Sequence, residues 1–288
     1  MARILVTNDD GVHSEGIHAL AAALRAVGDV TVVAPIQESS AIGHALTLRR
    51  PLRIDQVRES FYAVDGTPTD CVNLGVAVLF KGELPDLVVS GINTGWNLGD
   101  DVTYSGTVAG ALEAALLGIP AIAVSLRRTR DYQFDFGPSA DAAVTLSQLV
   151  LQHSLPDRTF LNVNVPKGAP KGFRRTVQGK RNHITKISER LDPRGKPYYW
   201  IEEGIDEWAP HDQSDYHAVK EGYVSVSLLH PDLTAHAEMD FLEGLPLPEQ
   251  VACLEASLPS DCRRHFDCSI STAARARSRF PSPRRGPR

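Results

Sequence analysis

The chain has 288 residues, 42% of them hydrophobic and 23% charged, with a formal net charge of −5. That balance suits one large α/β domain or two modest ones and excludes a wholly disordered chain. The longest apolar stretch, Ala114 to Val124, is 11 residues, well short of the roughly 20 that a membrane-spanning helix needs.

Elements follow one another in a regular alternation. Arg3 to Thr7 (RILVT) reads as a buried strand, and Glu15 to Val27 as a helix with apolar residues at Ile17, Leu20, Ala21, Leu24 and Val27. Gly28-Asp29 stops it, and Val30 to Ala34 is a second strand. Two strands joined by such a helix form a right-handed, parallel βαβ unit. Pro68 to Phe80 reads as helix, with Thr67 or Thr69 as N-cap candidates. Leu87 to Ser90 is a strand, Thr107 to Leu117 a helix, Ala121 to Leu126 a strand, Asp141 to Leu151 a helix and Phe160 to Val165 a strand. The expected architecture is therefore a doubly wound, Rossmann-like, mainly parallel sheet over residues 1–166. The next region, 167–250, is an extension expected to serve oligomerisation, and its first part, 167–217, is Lys-, Arg-, Gly- and Pro-rich with short alternating runs. An antiparallel hairpin extension is expected there, then a strand at Gly222–Leu229 returning to the core, and a short helix from Ala237 to Leu242.

Charge is unevenly placed: Leu258 to Arg288 carries +6 and the remainder −11. An acidic body argues against sequence-independent nucleic-acid binding as the main function, because phosphate contacts draw on Lys and Arg. The tail, 251–288, reads as a basic, frayed extension with no role in the fold. Cys253, Cys262 and Cys268 lie near the C-terminus and only Cys71 in the body. That is no disulfide framework, no secretory signal precedes Asp9, and the expected compartment is the cytoplasm.

In open parallel sheets, ligands bind beyond the carboxyl ends of the strands. After the first strand comes Asn8-Asp9-Asp10-Gly11. Adjacent carboxylates repel unless a cation neutralises them, and Mg²⁺ or Mn²⁺ takes such oxygen ligands. The alternative is a plain Asp-Asp-Gly turn, but a helix rather than a second strand follows. After the second strand, Ser39 and Ser40 offer hydroxyls and His44 an imidazole. After the third, Asn93 lies in a glycine-rich loop with Gly91, Gly95 and Gly99. Tyr104-Ser105-Gly106-Thr107 opens a helix, which makes it either an ordinary Ser/Thr cap or an anion cradle.

These segments together resemble the SurE family of survival-protein nucleotidases. The likeness lies in Ile4-Leu5-Val6-Thr7-Asn8-Asp9-Asp10-Gly11, Ser90-Gly91-Ile92-Asn93-Thr94-Gly95, Asn97-Leu98-Gly99-Asp100-Asp101 and Tyr104-Ser105-Gly106-Thr107-Val108. Gly66 to Val72, Phe160 to Pro166, Gly222 to Ser225 and Asp232 to Thr234 match as well, so the resemblance spans residues 1 to about 245. It implies a metal-dependent phosphatase acting on nucleoside 5′-monophosphates, with 3′-nucleotides and short polyphosphate as further substrates. By position it puts the metal ligands at Asp9, Asp10, Ser40 and Asn93, holding one Mg²⁺ or Mn²⁺ per subunit. Ser105, Gly106 and Thr107, with Asn97 adjacent, are then expected to hold the phosphate. Which group takes the proton of the attacking water stays open: Asp9 or Asp10 could double as base, and His44 is a weaker candidate. Ser39 stands where relatives often carry a basic residue, and Trp96 where they often carry Pro. Homodimers or homotetramers, with C-terminal segments exchanged, are implied too.

Two other folds with related chemistry fit less well. A signalling receiver domain also pairs acids after its first strand, but it needs a phosphate-accepting Asp after its third. A dinucleotide-binding oxidoreductase would carry Gly-x-Gly-x-x-Gly in the first turn, where this chain has Asn8-Asp9-Asp10-Gly11. A non-catalytic nucleotide-binding regulator shares the expected site and is separated from an enzyme only by turnover.

Overall fold

The computed structural model describes residues 1–128 and 133–245; the tail expected at 251–288 lies outside them. The chain divides into two compact units, 1–232 and 233–288. The boundary expected at 166 thus falls within the first unit. In the second, a 3₁₀ turn at His236–Glu238 leads into a short helix at Met239–Glu243.

The first unit is built on β1 (Ala2–Thr7), β2 (Gly28–Pro35), β3 (Ile54–Arg58), β4 (Phe61–Val64), β5 (Leu87–Asn93), β6 (Ala121–Leu126), β7 (Phe160–Val165) and β8 (Phe173–Thr176). A hairpin of β9 (Arg181–Leu191) and β10 (Pro197–Trp208) follows, then β11 (Val224–Leu229). The large sheet runs β3-β4-β2-β1-β5-β6-β7-β11-β8. Strands β4, β2, β1, β5, β6 and β7 are mutually parallel, while β3 and β11 each run antiparallel to a neighbour. Because β2 lies on one side of β1 and β5 on the other, the topological switch falls between β1 and β5, where loops diverge and leave a crevice.

Burial explains the alternation. Along β1, Ile4 and Val6 enter one apolar cluster with Ile17 and Leu20 of α1 (Glu15–Leu24) and Ala143 of α4 (Gly137–His153). Leu5 points to the other face, against Cys71 and Val72 of α2 (Pro68–Leu74) and Ala111 of α3 (Gly106–Leu116). Each such buried Leu or Ile stabilises the fold by roughly 1.5–3 kcal/mol relative to exposure. Helix α2 begins with a capping box in which Thr67 accepts from Asp70 N–H and the Asp70 carboxylate accepts from Thr67 N–H. It continues through a π-helical turn, Gly75–Leu79.

Three strands had no counterpart in the expected set. β3 shows almost no buried face and β4 is four residues long, so neither carries a readable alternation. β8 is equally short. Helix α4 begins at Gly137, earlier than the expected Asp141, and α1 ends at Leu24, before Val27.

One buried acid ties the hairpin base to the sheet rim. Asp215, in α5 (Asp215–Lys220), is 1% exposed. Its carboxylate accepts the N–H groups of Gly99 at 2.8 Å, Gly179 at 3.0 Å and Tyr216 at 2.7 Å. Burial pushes its carboxyl up, and these three donors draw it back. Asp215→Ala would strand three donors, so a loss of about 3 kcal/mol or more is expected. The check is the urea midpoint at constant m-value; an unmoved midpoint would show that the donors find other partners.

Candidate active site

At the switch point β1 ends in Thr7 and the chain turns through Asn8 to Gly11. Asn8 fixes that turn by donating from Nδ2 to Gly11 O at 3.1 Å and to Ser14 Oγ at 2.8 Å. Asp9 is 4% exposed and lies against the first turn of α3, where the Thr107 hydroxyl donates to its Oδ1. Burial pushes the Asp9 carboxyl up; the Thr107 hydroxyl and the backbone N–H groups of Thr107 and Gly106 pull it down. The approach is close enough to require glycine at 106, since a Cβ there would meet Asp9 Cβ at 2.7 Å.

Asp10 is likewise pushed up by burial but lacks the donors that α3 gives Asp9. Burial first, and the charge of Asp9 second, push its carboxyl up to about 6, with the Thr94 N–H opposing and the Glu38 carboxylate adding to the rise. Its Oδ2 is buried and has no hydrogen-bond partner among the described residues. A buried carboxylate oxygen without a donor carries a large desolvation cost, and a cation would offset it.

The loop after β2 is stitched to this pair by Ser39 N–H, which donates to Asp9 O at 2.8 Å. Ser40 Oγ donates to Glu38 Oε1 at 2.6 Å, so the hydroxyl is bonded to Glu38 rather than to either aspartate. Further along, Gly43 N–H donates to Tyr104 O at 2.9 Å, just before α3. His44 Nε2 lies 2.6 Å from Glu113 Oε2, and Asn73 Nδ2 donates to Glu113 Oε1 at 2.7 Å. Against burial, which would raise it, His44 and Asn73 hold the Glu113 carboxyl below its usual range.

Asn93 closes β5, three residues beyond the expected strand end. The strand bulges against β6 between Gly91 and Asn93. Gly91 permits this: its φ is +141°, and a Cβ would sit 2.4 Å from Val124 O. Asn93 Nδ2 donates to Gly95 O at 2.8 Å, which commits the nitrogen and leaves the amide oxygen for a cation.

Asn97 is buried and gripped on all sides. Its N–H donates to Asn164 Oδ1 at 2.8 Å, and its Nδ2 donates to Ser125 Oγ at 2.7 Å. Its carbonyl accepts from Asn162 Nδ2 at 2.9 Å and Asn164 Nδ2 at 3.0 Å. Ser105 is the N-cap of α3, and its Oγ accepts the Val108 N–H at 3.1 Å. That geometry uses the oxygen as acceptor and keeps the hydroxyl proton for an outward partner.

Sequence reasoning therefore did not single out Glu38, Ser125, Asn162, Asn164 or Glu113. A signal existed for two of them. Asn162 and Asn164 alternate within FLNVNV, so they share one face of a fully buried strand, and buried amides need partners. Among the described residues, no group of three His, Cys, Asp or Glu side chains gathers to hold a metal. A cation here would rest on two carboxylates and neutral amide and hydroxyl oxygens, which is hard-ion chemistry.

Residues 4–185 match the family described as Survival protein SurE. The chain belongs to the SurE family. The 5′-nucleotidase SurE of Syntrophotalea carbinolica is 55% identical over 231 residues, covering 80% of this chain and 92% of the relative. That of Geobacter sulfurreducens is 53% identical over 264 residues, covering 89% and 98%. The crystal structure of the SurE protein from Aquifex aeolicus aligns with TM-score 0.75 at 45% identity, over 84% of this chain and 99% of that one.

Proposed function

We propose that this SurE-family chain is a divalent-metal-dependent phosphatase that hydrolyses nucleoside 5′-monophosphates, with 3′-nucleotides and short polyphosphate as further substrates. The nucleotidase activity is supported by relatives named 5′-nucleotidase SurE at 50–55% identity. The single observation behind the metal is the acidic pair at the switch point, with Asp10 Oδ2 buried and lacking a donor.

Asp9, Asp10, Ser40 and Asn93 would hold one Mg²⁺ or Mn²⁺ per subunit. When bound, such an ion supplies Lewis acidity and makes water a stronger acid. The chain's own residues do the rest. Thr107, Gly106 and the start of α3 fix Asp9. Ser105 donates its free hydroxyl proton to a phosphoryl oxygen, and the helix start adds a favourable dipole. Gly106, Thr107 and Asn97 line the same cradle, Asn97 having one amide hydrogen beyond that given to Ser125. One of the two aspartates accepts the proton of the attacking water.

Assembly into a cytoplasmic homodimer or homotetramer fits the extension, because Ile187, Leu191, Tyr199 and Ile201 are exposed and the hairpin register puts them on one face. Exposed apolar clusters of this kind mark interaction surfaces. No helix among the described residues is long and apolar enough to cross a membrane.

Hydrolysis of 5′-AMP should vanish in excess EDTA and return with Mg²⁺ or Mn²⁺. Undiminished release of phosphate in chelator would sink the metal requirement. Absence of turnover with every divalent ion would leave a nucleotide-binding protein instead.

A further inference from the structure

Beyond the metal and phosphate residues, the carboxyl rim of the sheet has a second feature. At the ends of β6 and β7 lies a cavity of about 240 Å³ whose wall includes Arg127, Phe134, Asp135, Pro138, Pro166 and Lys167. The sheet register puts it beside the site. Asn93 pairs with Ser125, and Leu126 pairs with Val165, so Arg127 emerges two residues past the partner of Asn93. Trp96, between Asn93 and Asn97, is pinned by its indole N–H donating to Val165 O at 2.8 Å. The Arg127 guanidinium lies over that indole, 5.2 Å from the ring centroid.

We propose that this cavity is the nucleoside subsite, with Arg127, placed over Trp96, as the surface on which the base stacks. The inference rests on the phosphatase reading above and names where the rest of its substrate goes. A planar guanidinium backed by an indole presents a rigid π-face, and nucleobases stack on such planes. The wall suits a base beside the phosphate site: Phe134, Pro138 and Pro166 are apolar, and the Asp135 carboxylate stands among the cationic Arg127 and Lys167. Asp135 is itself fixed, its Oδ1 accepting the Gly137 N–H at 3.0 Å at the start of α4.

The test compares 5′-AMP with glycerol 3-phosphate, a phosphomonoester without a base, using the full-length Mn²⁺-loaded enzyme. Arg127→Ala should lower kcat/KM for AMP by about five- to a hundredfold, the range for one stacked base, mainly through KM, and leave glycerol phosphate unchanged. Arg127→Lys keeps the charge but not the plane, so it should lose nearly as much on AMP. Equal losses on both substrates, or recovery in Arg127→Lys, would mean that Arg127 acts as a charge for the phosphate and would overturn the subsite. Calorimetric binding of adenosine gives a reading independent of turnover. Its affinity should fall by a similar factor in Arg127→Ala, and an unchanged affinity overturns the proposal. If the parent enzyme hydrolyses neither ester, the phosphatase reading falls, while adenosine binding still decides the subsite.

Discussion

Replacing Asp10 by Asn is expected to lower turnover of 5′-nucleotides by roughly a thousandfold or more, because it removes one of the two charges available to a divalent ion. Shape is retained, so the loss reports charge. Raising Mn²⁺ should partly rescue it, since the defect is affinity. Ser105→Ala gives the contrast: one oriented hydroxyl donor is lost, with an expected decrease of about ten- to a thousandfold that added metal does not restore. A Mn²⁺ titration of both variants separates the roles. Full activity in Asp10→Asn, or metal rescue of Ser105→Ala instead, would reverse them. Stability should move the other way. With metal removed, the Asp10 carboxyl sits at about 6, above its ordinary value of 3.8. A raised acid contributes stability that is present below its unfolded pKa and lost as pH rises through its folded one. The metal-free parent should therefore weaken between about pH 4 and 7, and Asp10→Asn should flatten that slope and be no less stable at neutral pH.

Gly106→Ala should also be damaging, about a hundredfold in turnover, although it adds only a single methyl group. An alanine Cβ would lie 2.7 Å from Asp9 Cβ and 3.2 Å from its Cγ. The turn that carries Asp9 is held by Asn8 and by the Ser39 N–H, and Gly106 belongs to α3, so there is little room to yield and the carboxylate must shift. Displacement of a reacting group by about 1 Å costs on the order of a hundredfold. Circular dichroism should show a folded protein, because alanine is otherwise a better helix residue than glycine. Unchanged kcat for 5′-AMP would mean that Asp9 need not rest against the start of α3.

The strand-helix alternation was legible in the sequence because burial on both faces of a parallel sheet leaves short, nearly continuous apolar runs such as AIAVSL at Ala121–Leu126, and helices keep their 3.6-residue period. The acidic pair was visible as a motif at a strand end, although Asp-Asp-Gly by itself also fits a plain turn. The edge strands β3 and β8 were not, because a strand that buries little has no periodicity to read. What the sequence alone could not decide is which oxygens remain free. The sequence shows Thr107 and Asn97 as donors, and only the fold shows that the Thr107 hydroxyl is spent on Asp9 and that Asn97 gives one amide hydrogen to Ser125 while Asn162 and Asn164 hold its backbone. Asp9 and Asp10 are neighbours in the chain with the same side chain. Only the approach of α3 to one of them gives Asp9 its donors and leaves an oxygen of Asp10 buried without any. Local sequence sets which groups are present at the rim; long-range packing decides which of them are already satisfied, and so which are left for chemistry.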